Sequence, residues 1–229
     1  MCLSRSGNTI VSKKLVAEFI GTFALVFAGT GAIVIDQISG SISHVGIALT
    51  FGLIVLSMIY TIGDVSGAHI NPAVTIGFFA ARRFPIQDVI PYILSQLAGA
   101  IVASLFVRLL FPSNALLGTT VPSGSQMQSF VLELILTTLL MFVILNVSTG
   151  AKEKGLTAGI AIGSVVGLEA MFAGPICGAS MNPARSLGPA IVSGQLQSLW
   201  IYLIAPIAGA LIAVPACICT REKGCCAAS

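Results

Sequence analysis

Six stretches of about twenty residues with almost no charge run through this chain of 229, at roughly 13–35, 44–63, 87–110, 127–149, 156–174 and 198–220. About 20 apolar residues are what a helix needs to cross the hydrocarbon core of a bilayer. Backbone groups there find no water, so only helices and closed barrels span it. No ten-residue alternation of apolar and polar residues runs along the chain, which excludes a barrel. With 56% hydrophobic and only 8% charged residues, against about 25% charged in soluble domains, the chain cannot cover itself with a water-compatible surface. The sequence predicts an all-α integral membrane protein embedded in the lipid bilayer. The polar, basic start MCLSRSGNTIVSKK precedes a run too long for a signal-peptide core, so that run is expected to remain as the first span.

Lys and Arg set the orientation. Arg5, Lys13 and Lys14 precede the first span, Arg82 and Arg83 follow the second, Lys152 and Lys154 follow the fourth, and Arg221 and Lys223 follow the sixth. The stretches 36–43 and 111–126 hold neither residue. Both termini are therefore expected on the cytoplasmic side of a multi-pass protein, where reduced thiols are the default. Cys2, Cys217, Cys219, Cys225 and Cys226 lie near the termini and only Cys177 is internal, so no disulfide framework is expected.

Two shorter apolar pieces remain, about 71–81 and 182–192, each only about 15 Å long as a helix and so about half a span. Each opens on Asn-Pro-Ala: Asn71, Pro72, Ala73 and Asn182, Pro183, Ala184. The two Asn stand 111 residues apart, with GAHINPAV aligning on GASMNPAR, and Glu18 and Glu133 repeat at an offset of 115. Three spans plus a half-helix thus occur twice, in halves of about 1–110 and 127–220 joined by 111–126, within a single domain 1–229. An odd number of spans inverts the second copy, and such inverted repeats carry their site near the midplane.

Asn is a strong helix N-cap and Pro is favoured at the first helical position. Two half-helices entering from opposite faces would meet N-terminus to N-terminus, and each end carries roughly half a positive charge. Cations should be repelled at the meeting point, while the Asn amides can donate hydrogen bonds to a passing molecule. Irregular backbone at 63–70 and 174–181 is tolerated at that depth only where it is buried or lines a wet cavity.

SGAHINPAVT, GASMNPARS and AEFIGTF (Ala17 to Phe23) resemble the aquaporin, or major intrinsic protein, family over essentially the whole chain. TIGFFAARRFP and AGPICGASMNPARSLGPA are most similar to its nodulin-like branch. The resemblance implies six spans and two re-entrant half-helices around a passive pore, with no cofactor, no metal and no nucleic acid, assembled as a homotetramer in the plasma membrane. It also implies a filter. Arg185, whose repeat mate is Val74, is the family's filter Arg, and the motif spacing places Phe51, Ala170 and Ala179 beside it. Water-selective relatives commonly carry His at the position of Ala170, so two methyl groups here imply a wider opening. Ser186 and Ala190 match the water-channel subtype, where glycerol channels usually have Asp and a basic residue. Water plus small uncharged solutes such as glycerol, urea or undissociated metalloid acids is the expected cargo.

Backbone at Gly67, Ala68, His69, Ile70, Gly178, Ser180 and Met181 is expected to line the pore, with the His69 ring in a packing role. Glu18 and Glu133 are expected to be buried carboxylates accepting N–H bonds from the two loops. Glu169 has no charged repeat mate and is expected to brace 174–181, with the outer vestibule as its alternative place. Gly159, Gly163 and Gly167 form a small-residue face suited to close helix packing. An enzyme is improbable, since only His44 and His69 are available and neither HExxH nor GxSxG occurs. An ion channel would need an acidic ring or a carbonyl filter. A secondary transporter would need more ionisable coupling groups than the few deep carboxylates present.

Overall fold

The computed structural model describes residues 5–148 and 157–220. Its helices are α1 (Arg5–Ser39), α2 (Ser43–Ser66), α3 (Pro72–Ala80), α4 (Ile86–Leu110), α5 (Gln126–Val147), α6 (Ala158–Cys177), α7 (Pro183–Ser193) and α8 (Leu199–Thr220). Six are long and apolar enough to cross a membrane, and no strand occurs among the described residues. The expected span ends at 149 and 156 lie outside the described residues, as do Cys2, Cys225, Cys226, Lys152, Lys154, Arg221 and Lys223. Cys177, Cys217 and Cys219 form no disulfide; the first two are buried and the third is exposed.

α3 and α7 are the half-helices, and their starts follow from the residues that open them. Asn71 and Asn182 are extended N-caps, with Pro at the next position; Asn71 Oδ1 accepts from Ala73 N at 2.9 Å and Asn182 Oδ1 from Ala184 N at 3.0 Å. α3 runs for 9 residues and α7 for 11, roughly 14 and 17 Å at 1.5 Å per residue, so neither crosses the bilayer.

The packing repeats as the sequence does. α1 lies against α2 and α4 as α5 lies against α6 and α8, while α3 packs on α8 and α7 on α4. Each half-helix is thereby seated against the other half. The seam between halves is tight where α2 meets α6. A Cβ at Gly52 would lie 2.6 Å from Gly163 O, and one at Gly163 would lie 2.7 Å from Gly52 O. Only glycine permits backbones to meet there. Leu49, Leu53, Leu94, Leu105, Leu139 and Phe172 are exposed outward, as lipid-facing or subunit-facing side chains must be.

Candidate functional site: a pore with an outer constriction

The chain leaves α2 and α6 through left-handed glycines, Gly67 and Gly178, both with φ 86°. It then holds non-glycine residues at positive φ: Ala68 (48°) and Ile70 (43°) in one loop, Ala179 (41°) and Met181 (53°) in the other. Such conformations cost of order 1–3 kcal/mol each and persist only where the surroundings fix them. Buried carboxylates do the fixing. Glu18 Oε1 accepts from His69 N (2.9 Å) and Ser66 Oγ (2.7 Å), and its Oε2 accepts from Ile70 N (2.6 Å) and Gln96 Nε2 (2.7 Å). Glu133 accepts from Ser180 N (2.7 Å) on Oε1 and from Met181 N (2.8 Å) on Oε2. Both carboxylates have 0% exposure.

The two loops are tied to each other through the caps. Asn71 Nδ2 donates to Met181 O at 2.8 Å, and Asn182 Nδ2 donates to Ile70 O at 2.9 Å. The sequence reading gave those amides only to a passing molecule. Instead one N–H of each locks the opposite loop, and the second N–H stays available. The positive ends of α3 and α7 are fixed nose to nose by this exchange.

A cavity of about 850 Å³ runs from Asp64, Arg83 and Ser148 past both Asn to Arg185 and Phe51. Its apolar lining includes Leu25, Val55, Leu140, Ile144, Ile162 and Val166. Gly67 to Asn71 and Ala179 to Asn182 line it too. Gly178 is absent from that lining, unlike the other loop residues named from sequence. The Arg185 guanidinium carbon stands 5.0 Å from the Phe51 ring centre, within range of a cation–π contact, and Ala170 and Ala179 also line the cavity. The His69 ring is stacked on Phe78 at 4.7 Å, borders Phe84 and Tyr92, and binds Thr75 Oγ1 through Nδ1 at 3.1 Å.

Two features escape a reading by motif. The 111–126 segment is far more than a joint: Arg185 Nη1 donates to Gly118 O at 2.9 Å, and Thr120 Oγ1 donates to Ser186 Oγ at 2.8 Å. Leu117, at 0% exposure, plugs this segment into the bundle. Glu169, expected to brace the 174–181 loop, does not: both its carboxyl oxygens are buried with no hydrogen-bond partner among the described residues. The loop N–H groups of Ser180 and Met181 are taken by Glu133.

The comparisons with known proteins agree with this geometry. Residues 5–216 match the family model described as "Major intrinsic protein". The chain is 49% identical over 201 residues to Nodulin-26 of Glycine max, covering 87% of this chain and 74% of that one. It is 47% identical over 199 residues to Aquaporin NIP1-4 of Oryza sativa subsp. japonica, covering 86% and 73%. Among solved structures, the aquaglyceroporin from Plasmodium falciparum matches with a TM-score of 0.78 at 30% identity, over 89% of this chain and 93% of that one. The chain therefore belongs to the major intrinsic protein family, as a multi-pass membrane channel for water and small solutes and not an enzyme.

Proposed function

We propose that the chain forms one channel unit over 1–229, halves about 1–110 and 127–220 joined by 111–126, that passes water and small uncharged hydroxylated solutes and excludes protons and ions. Phe51, Ala170, Ala179 and Arg185 form its filter in this reading. The observation that carries it is the mixed character of the outer constriction: a guanidinium 5.0 Å from an aromatic ring, with two methyl groups where bulk would narrow the opening. A polyol offers carbon to Phe51 and oxygen to Arg185. Ions meet Arg185 and the positive ends of two half-helices, with nothing to replace their water shell. Likeness to an aquaglyceroporin supports the solute reading. Ser186 and Ala190 favour a second one, a water-selective channel. Both termini are cytoplasmic in this proposal, the membrane is the plasma membrane, and the assembly is a homotetramer.

Stopped-flow measurements on proteoliposomes, comparing water, glycerol, urea and arsenite, test the reading. Fast shrinkage with weak temperature dependence and no proton current is expected. Persistent proton or Na⁺ current, or trans-stimulated saturable flux, sinks it. Ala170→His is expected to lower glycerol passage more than water passage; equal losses remove Ala170 from the filter.

A further inference from the structure

One hydroxyl recurs in both halves and is held by different means. In the first half it is Thr75, on the opening turn of α3. Its Oγ1 pairs with His69 Nδ1 at 3.1 Å and accepts from Gln96 Nε2 at 3.1 Å. Gln96 lies on α4, one turn beyond Tyr92, and also donates to Glu18. The second-half mate is Ser186, the residue after Arg185. Its Oγ lies 2.5 Å from Ser180 Oγ, the counterpart of the His69 pair.

The counterpart of Gln96 is missing, and the repeat shows why. α8 repeats α4 at an offset of 110 residues. Tyr92 donates to Ser66 O at 2.9 Å as Tyr202 donates to Cys177 O at 2.7 Å. A Cβ at Gly99 would lie 2.4 Å from Phe19 O, and one at Gly209 would lie 2.4 Å from Leu134 O. At this offset Gln96 falls on Pro206, buried in α8 with no side-chain amide to give. The donor comes from elsewhere: Thr120 Oγ1, at 2.8 Å from Ser186 Oγ. Thr120 is two residues from Gly118, whose carbonyl takes the Arg185 guanidinium. Its Cγ2 also crowds Gly178, 3.0 Å from where a Cβ would be. Thr120 is buried and does not line the cavity.

We propose that Thr120 is a positioning residue for solute selection. Its hydroxyl, through Ser186, fixes the first turn of α7 and so the direction in which Arg185 is presented to Phe51. A long side chain magnifies any tilt of the turn that carries it. With Thr120 unbound, Arg185 keeps its charge and its tie to Gly118 O but loses the fixed base from which it reaches across. The opening then admits larger solutes more readily. The inference rests on the filter reading of Phe51, Ala170, Ala179 and Arg185.

The test is the glycerol-to-water permeability ratio of the full-length protein in proteoliposomes of matched protein content. Thr120→Val keeps the shape and removes the hydroxyl. The ratio is expected to rise roughly threefold to tenfold, the range one hydrogen bond spans, while Thr120→Ser stays within about twofold of the unaltered protein. An unchanged or lower ratio in Thr120→Val overturns the proposal, as does an equal rise in Thr120→Ser. Should Thr120→Val fail to fold, Ser186→Ala breaks the same bond from the other partner: a rise supports the proposal and an unchanged ratio overturns it. Arg185→Val separates the two layers. An unchanged ratio there sinks the filter itself, whereas a change there beside an unchanged Thr120→Val sinks only the role of Thr120.

Discussion

The two Asn-Pro-Ala loops share a backbone path and differ in what secures them. The first is held by helices: Glu18 gathers Ser66, His69, Ile70 and Gln96, and His69 fills an aromatic niche. The second leans on Glu133 and on an irregular outer segment that supplies Gly118 O and Thr120. Val74 is apolar where its mate Arg185 is charged. The difference teaches that one half is built as a fixed reference and the other carries the adjustable chemistry. A loop can change in length and sequence without disturbing a span, and here the loop bears on the cavity through Arg185 and Ser186, which it holds from behind.

The sharpest way to break this contrast is to remove each carboxylate. Glu18→Ala removes the acceptor of four hydrogen bonds and is expected to destabilise by about 4 kcal/mol, with Glu133→Ala at about half of that. Thermal unfolding in detergent checks it, and equal losses would mean the halves are held alike. Arg185→Val makes the second half resemble the first. Glycerol flux is expected to rise about tenfold, with a proton leak appearing in pH-dye assays, on the scale of one strong charged interaction. A smaller effect comes from behind the filter. A Cβ at Gly29 would sit 2.1 Å from Phe51 Cε1, so Gly29→Ala displaces the ring; glycerol permeability is expected to fall severalfold and water permeability less. The smallest change expected is that of Glu169→Met. Removing a buried carboxyl with no partner should hold or raise the melting temperature, by about 1 kcal/mol equivalent at most. A fall as large as that of Glu133→Ala would show that Glu169 is bonded after all.

The spans were legible because length and hydropathy alone decide what can cross a bilayer, and the half-helices because Asn followed by Pro is a start signal whatever surrounds it. Phe51, Ala170, Ala179 and Arg185, named by motif spacing, all border the one cavity. Thr120 and Gly118 were not legible. They sit on a segment without helix, repeat or charge, and they reach Arg185 and Ser186 only because the chain folds back over 66 and 67 residues. A signal did exist: aligning Tyr92 with Tyr202 and Gly99 with Gly209 sets Gln96 against Pro206 and exposes a donor missing from the second half. Glu169 misled because a carboxylate close in sequence to a loop suggests a brace, whereas the N–H groups of Ser180 and Met181 go to Glu133 from α5. The cross-bonds between Asn71 and Met181 and between Asn182 and Ile70 depend on how the halves dock, which no local pattern reports.

The contact of Gly52 with Gly163 bears on throughput. Backbone meets backbone there across the two halves, with no side chain between them to act as a bearing. Machines that rock one repeat against the other need a surface that slides, and they deliver a fixed number of molecules per cycle. A seam welded at the main chain has no stroke to count. Flux through this molecule is then set by how fast molecules queue and hop, and it should grow in proportion to the gradient applied.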